Sequence, residues 1–365
     1  MNRVLHIVDS MGIGGIQSFI MNIYRTINKK EYQFDFLLNR HVDNSYEKEI
    51  SELGGNLYFV PSRRNGILKN RKALNDFFMK HQDYVAIHMH ESSLSYIEPL
   101  IQAKKYGCYT IIHSHSTGVN NSVIHRLLHE INKRRIHRFA DCCIACGNLA
   151  KEWMYGSTKE FSRSIVIRNG IDIKKYTYNE AIRKKYRKEF GLEDKYLIGH
   201  IGRFNKVKNH NFLIDIFVEV LKIRKDAVLM LVGDGTLRNE IVEKVNSLGI
   251  NENVIFLGER KDVSNLLQAI DVVVLPSFYE GFPVTVVEAE AAGVPVIMSD
   301  TITDEVMIKN NIVKLSLKQT AFRWAEKICE HHDRIINNSL LYEEGLDITE
   351  TTNKLMRIYA GNGER

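Results

Sequence analysis

Ser277-Phe278-Tyr279-Glu280-Gly281-Phe282-Pro283-Val284 follows an apolar run at 271–275 and leads into a stretch of small and apolar residues ending at Ala292-Gly293. A buried-strand run, a Gly-Phe-Pro turn and a helical pattern, in that order, make a strand–loop–helix unit. Pro283 suits the first position of a helix, where its missing N–H costs nothing. The loop therefore ends at a helix N-terminus, whose free N–H groups and dipole favour an anion, phosphate above all. Glu288 lies about 7.5 Å along that helix at ~1.5 Å per residue. A phosphate at the helix start leaves Glu288 to meet ribose hydroxyls, while Glu280 faces the group beyond the phosphates. Two glutamates at this spacing are commonplace; the strand, the turn and the small-residue helix around them carry the reading.

The same unit recurs outward in both directions. In the second half, strands are expected over 196–201, 227–232, 254–257, 271–275 and 294–298, with helices near 209–224, 237–248, 263–269 and 283–292. In the first half, strands are expected over 4–8, 34–38, 57–60, 85–89, 109–112, 142–145 and 164–167, with helices over 16–27, 70–80, 95–106 and 122–138. The charged, aromatic segment 172–194 interrupts the alternation and reads as a linker plus a surface helix. The expected fold class is α/β: two doubly wound Rossmann-like domains with parallel sheets facing across a cleft, ligands sitting outside the carboxyl ends of the strands. The domain boundaries are 1–175 and 176–348, with a crossing helix at about 349–365.

Two domains also suit a chain of 365 residues. No apolar stretch reaches the roughly 20 residues of a membrane helix; the best, 281–299, carries Glu288 and Glu290. The opening residues reach Asp9 before a signal-peptide core forms, so no secretion signal is expected. Five cysteines, three of them at Cys142, Cys143 and Cys146, argue against a disulfide framework and for a reducing, cytoplasmic setting. The net charge of +6 is uneven: residues 1–175 carry 25 Lys+Arg against 16 Asp+Glu, and residues 176–365 carry 25 against 28. A basic first half and an acidic second half point to different partners.

Other strand ends carry chemistry. Gly202-Arg203-Phe204-Asn205-Lys206-Val207-Lys208-Asn209 places a fork donor and a point charge where a diphosphate can be neutralised. Val232-Gly233-Asp234-Gly235 reads as a tight structural turn, and Gly258-Glu259-Arg260 as a strand end whose backbone can meet a base edge. Ser10-Met11-Gly12-Ile13-Gly14-Gly15-Ile16-Gln17 lets backbone approach a phosphate, yet lacks both the P-loop ending and the dinucleotide fingerprint. NTP hydrolysis and dehydrogenation are thereby disfavoured. His113 and His115 share a strand face, as do His88 and His90. A hydrolytic metal site is a rival use of such pairs, although neither His-Glu-x-x-His nor Asp-x-Asp occurs. Over 122–139, Val123, Ile124, Leu127, Leu128 and Ile131 recur at helical spacing among His125, Arg126, His129, Lys133, Arg134, Arg135 and Arg138. Two readings stand: a solvated charged face, or a helix resting on an anionic membrane surface. Nucleic acid is not expected, because no aromatic platform interleaves the charges.

In this order the motifs resemble the retaining glycosyltransferases of family 4, which have the GT-B architecture. The resemblance runs through Gly14-Gly15-Ile16-Gln17, His113-Ser114-His115-Ser116, Arg168-Asn169-Gly170, Gly202-Arg203 with Lys208, and Glu280-Gly281-Phe282-Pro283 with Glu288, the family's Glu-x7-Glu pattern. Bacterial capsular and exopolysaccharide enzymes look most similar. The resemblance implies catalytic roles for His115, Arg203, Lys208 and Glu280, with His113 an alternative to His115. It implies a donor-binding set of Gly14, Gly15, Gly202, Arg260, Gly281, Phe282, Pro283, Val284 and Glu288. It implies a nucleotide-sugar donor such as a UDP-sugar, a lipid-linked or polysaccharide-precursor acceptor, and neither metal nor cofactor. Gln17 departs from the family, which often has Glu there. A nucleotide-sugar epimerase and a non-catalytic glycosyltransferase-like partner protein share the architecture and remain alternatives.

Overall fold

A computed structural model describes residues 1–116, 118, 122–156, 164–330 and 333–361. It divides into two compact units, Met1–Gly170 with Ile348–Arg365, and Ile171–Asp347. The first holds a sheet of β1 (Asn2–Ile7), β2 (Tyr32–Leu38), β3 (Leu57–Phe59), β4 (Ala86–Glu91), β5 (Thr110–Ser114), β6 (Cys142–Ala145) and β7 (Ile165–Val166) in the order 3-2-1-4-5-6-7. The second holds β8 (Tyr196–Ile201), β9 (Ala227–Val232), β10 (Val254–Gly258), β11 (Val272–Leu275), β12 (Val296–Ser299) and β13 (Ile312–Leu315) in the order 10-9-8-11-12-13. All pairings within both sheets are parallel. Strands covered on both faces read as unbroken apolar runs, as β9 and β11 do.

Each strand order reverses direction once, between β1 and β4 in the first unit and between β8 and β11 in the second. A doubly wound sheet opens a crevice at such a point, outside the carboxyl ends of the two strands. The Gly-rich loop after β1 and the Glu280 loop after β11 both start there.

Several elements differ from expectation. The segment 172–194 is no linker: helices Ile173–Tyr176 and Glu180–Glu189 belong to the second unit. Arg183 and Arg187 both grip Asp271 at the foot of β11, and Ile173 is buried. The division accordingly falls after Gly170 rather than after residue 175. Helix Ile348–Tyr359 packs with the first unit, where Leu355, Ile358 and Tyr359 join a core made by Phe19, Phe34, Phe36 and Ile111. β13 and helix Ala321–Cys329 complete the second unit and were not anticipated.

The helix expected over 122–138 stops at Lys133 and resumes as a single 3₁₀ turn, Ile136–Arg138, where Ile136 dives into the core. Its polarity is inverted. Val123, Ile124, Leu127 and Ile131 are 46–71 % exposed, whereas His129 and Asn132 are buried. Those two polar side chains hold the loop after β4: His129 Nδ1 accepts from the Leu94 N–H at 3.0 Å, and Asn132 donates to the Leu94 carbonyl at 2.6 Å. The apolar stripe is thus not a core stripe.

Candidate active site

In the second unit the site begins where β8 ends. Gly202 N–H still donates to Val232, then Arg203 turns out to solvent and Phe204 is buried beneath the loop. A 3₁₀ turn, Lys206–Lys208, follows; the Asn205 side chain accepts from the Lys208 N–H at 3.1 Å and fixes it. The stem of Lys208 then lies back over Gly202, since a Cβ there would stand 3.0 Å from Lys208 Cε. Gly233 and Gly235 support the loop from β9. Gly233 has φ +131°, and a Cβ on it would come within 2.2 Å of the Gly202 carbonyl oxygen. Any side chain there strains the backbone and displaces the Gly202-Arg203 peptide, so this turn is structural, as its sequence indicated.

The loop after β11 is tied to the first by Phe278 N–H, which donates to Val207 at 2.8 Å. Behind it, Ser299 and Thr301 hydroxyls donate to the Ser277 carbonyl at 2.5 and 3.0 Å. The result is an ion pair that sequence spacing does not show: Lys208 Nζ stands 2.6 Å from Glu280 Oε1, both side chains about 15 % exposed (16 % and 14 %). Gly281, Phe282 and Pro283 are buried and lead into helix Val284–Ala291. Pro283 is the N-cap rather than the first helical residue, and no side chain caps this end, so first-turn N–H groups remain for a ligand.

Glu288, further along the helix, accepts a 2.7 Å hydrogen bond from the Tyr176 hydroxyl, and burial raises its pKa above the usual carboxylate range. The helix is clamped from behind by Glu290, whose Oε1 accepts from the N–H groups of Ile308 and Lys309 at 3.0 and 2.6 Å. Lys309 Nζ in turn donates to the Glu290 carbonyl, the Ile335 carbonyl and Asn338 Oδ1. A helix held this way presents its N-terminus and Glu288 in a fixed place. Arg260 stands apart: its guanidinium is forked on Asp262 at 2.7 and 2.8 Å, in the loop after the edge strand β10. Tyr176 and Ser299 act on partners 112 and 22 positions away, which sequence does not show, whereas Asn205 caps the turn three residues on and is a local signal.

In the first unit, Gly14 is the extended N-cap of helix Gly15–Thr26, again without a side-chain cap. Gln17 donates to the Ser10 carbonyl at 3.0 Å and closes the loop on itself, a bond that a Glu carboxylate cannot donate. No atom lies within 4 Å of where a Gly15 Cβ would be. Neither packing nor backbone conformation therefore requires glycine at 15, and Gly15→Val is expected to leave the melting temperature nearly unchanged, as measured by a thermal melt. His113 is fully buried within β5, whereas His115 stands just past its end and is partly exposed. Thr117 and residues 119–121 lie outside the described residues.

An anionic leaving group fits the second-unit arrangement. Arg203 and Lys208 follow β8, and the uncapped helix N-terminus follows the adjacent strand β11, so positive charge is offered from both sides of that crevice.

Comparison with known proteins agrees. Residues 13–175 match the sequence profile described as Glycosyltransferase Family 4, and residues 182–344 that described as Glycosyl transferases group 1. The chain is 32 % identical over 370 residues to the putative glycosyltransferase EpsF of Bacillus subtilis (strain 168), covering 98 % of this chain and 96 % of that one. It is 27 % identical over 337 residues to an Escherichia coli UDP-Gal:alpha-D-GlcNAc-diphosphoundecaprenol alpha-1,3-galactosyltransferase, covering 84 % and 82 %. Among solved structures, Anabaena Alr3699/HepE in complex with UDP and glucose superposes with a TM-score of 0.81 at 18 % identity, over 99 % of this chain and 100 % of that one. By this similarity along its whole length, the chain belongs to the family 4 glycosyltransferases and has their two-domain GT-B fold.

Proposed function

We propose that this chain transfers a sugar from a UDP-sugar, with retention, onto a lipid-linked precursor of a surface polysaccharide. The observation that carries the reading is the Lys208–Glu280 pair beside Arg203 and an uncapped helix N-terminus at the β8/β11 crevice. Arg203 and Lys208 hold the diphosphate, Glu280 meets donor-sugar hydroxyls through its second oxygen, and Glu288 meets the ribose. The bond from the sugar C1 to the diphosphate breaks as the acceptor oxygen bonds C1 on the same face. The acceptor proton passes to the departing phosphate oxygen, so no enzyme nucleophile is required. The chain's own cations supply the charge that a metal would otherwise supply.

A panel of nucleotide sugars tests this. A bound donor at 100-fold excess over its Kd stabilises by about 3 kcal/mol, which raises Tm by roughly 5 °C or more. The expected result is a shift with UDP-sugars and turnover insensitive to a chelator; no shift with any nucleotide sugar overturns the reading. Product analysis without acceptor separates transfer from epimerisation.

The outward apolar stripe supports a membrane-bound acceptor. Val123, Ile124, Leu127 and Ile131 are flanked by exposed Arg126, Arg134, Arg135 and Arg138. Apolar insertion plus about 1 kcal/mol per contacting cation favours an anionic lipid surface. Among the described residues no helix is long and apolar enough to cross a membrane. Leu127→Asp is expected to cut co-sedimentation with phosphatidylglycerol vesicles about tenfold; binding indifferent to anionic lipid would argue for a merely solvated face.

A further inference from the structure

Five histidines line one face of the first sheet: His6 on β1, His88 and His90 on β4, His113 on β5 and His115 just beyond it. The first four are at most 3 % exposed, lying under Phe19 of helix Gly15–Thr26 and Tyr359 of helix Ile348–Tyr359. Nitrogens of His6, His88 and His90, and of His90, His113 and His115, come within 4.8 Å of one another. The ring planes speak against a shared ion. His88 lies over His90 and His113 over His115, each with centroids 4.1 Å apart and planes within 30°, and His88 is parallel to His113 within 5°. Stacked rings aim their in-plane lone pairs side by side, whereas a metal needs them to converge.

The nitrogens that do meet do so in pairs, edge to edge. His6 Nδ1 is 2.9 Å from His90 Nε2, and His90 Nδ1 is 2.9 Å from His115 Nε2. Both ring pairs have centroids 5.2 Å apart, 20° and 31° from coplanar. We propose that His6, His90 and His115 form one hydrogen-bonded imidazole chain that fixes the tautomer of His115, with His6 and His90 as positioning residues.

Between neutral rings each link holds one proton, so the direction of one link sets the next. One direction leaves an N–H on His6 Nε2, a buried atom with no partner among the described residues; the other leaves only a lone pair there. An orphaned buried donor is the rarer and costlier arrangement. Protons therefore run outward: His6 Nδ1–H donates to His90 Nε2, His90 Nδ1–H donates to His115 Nε2, and His115 keeps its own proton on Nδ1. His115 then offers an N–H donor to a substrate oxygen.

The surroundings keep the chain neutral. Burial pushes His6 and His115 down to about 3 and His90 well below its usual value. The groups facing it are Phe34 and Phe36 of β2, Phe19, Tyr359, whose hydroxyl bonds His88 Nδ1 at 2.6 Å, and the rings of His88 and His113. Among the described residues, Asp35 is the one carboxylate acting on it, through His6.

The role given to His115 at the substrate rests on the function proposed above; the chain itself does not. Long-range 1H–15N spectra of histidine-labelled full-length protein at neutral pH, without ligand, read each tautomer directly. The expected pattern is Nδ1–H at His6, His90 and His115. His6→Phe, which does not touch His115, is expected to weaken that preference, and His90→Phe to shift His115 toward Nε2–H. His90→Asn, whose amide donates from the Nδ1 position, is expected to restore it. Nε2–H at His115 in the wild-type protein, or no response to either Phe variant, overturns the chain, as does joint movement of His6, His88 and His90 on adding one equivalent of zinc. If the pattern holds but no nucleotide sugar moves the His115 signals, the chain stands and the functional reading fails instead.

Discussion

Lys208→Ala is expected to lower kcat/KM for sugar transfer about 10²–10³-fold in a protein that remains folded, the scale on which a single preorganised electrostatic contact to a developing anion acts. Two effects combine. The ammonium proposed to neutralise the leaving diphosphate is lost, and Glu280, only 14 % exposed, loses its Lys208 partner. The largely buried partner left unpaired costs stability too, about 1–3 kcal/mol. Glu280→Gln keeps a hydrogen-bonding oxygen for Lys208 and so is expected to cost less stability, yet to impair transfer through the lost hydroxyl contact. Steady-state kinetics and thermal melts of the two single variants and the double variant separate the terms, since contacting residues couple by 0.5–3 kcal/mol. A folded Lys208→Ala protein with wild-type turnover would remove this pair from the active site.

The first unit is expected to lose stability steeply below pH 6.5. His6, His88, His90, His113 and His115 all have folded pKa values depressed by burial. The unfolded chain binds protons at these positions near pH 6.5, whereas the folded chain does not until pH is far lower. The sign follows: stability is full above the unfolded value and falls as pH drops toward the folded ones, by about 1 kcal/mol per pH unit for each histidine. Glu91 works the other way. Burial and Asp9 hold it up to about 8, so it releases a proton on unfolding between its two values. For these five rings and Glu91 the net uptake on unfolding is expected to rise toward about four protons as pH falls from 6.5 to 5, measured from the pH dependence of urea midpoints. His113→Leu is the informative variant, because both His113 ring nitrogens are buried without hydrogen-bond partners among the described residues. It should reduce the uptake by about one and raise stability in acid; an unchanged slope would show that these rings titrate normally in the fold.

Much of this was legible in the sequence, for local reasons. The strand–loop–helix rhythm, the Gly-Phe-Pro turn at 281–283 and the loop at 202–208 are written within a few residues of one another. β13 was missed because it is an edge strand: its half-exposed residues give no continuous apolar run. The segment 172–194 reads as a linker plus a surface helix because its contacts with the second unit run largely through the charge on Asp271, which leaves no apolar stripe. The stripe over 123–131 was visible, and only its direction was not.

The sequence alone determined two parallel α/β domains, the strand ends with Gly-rich and basic loops, and the family resemblance, because periodicity and turn chemistry act over short stretches. The tertiary structure alone decided that Lys208 pairs with Glu280 across 72 positions and Glu288 with Tyr176 across 112. It also decided that His115 leaves the core where His113 stays, and that an apolar helix face points outward. Periodicity records which residues share a face; what covers that face depends on which distant segment returns to it, and that is settled only when the chain packs.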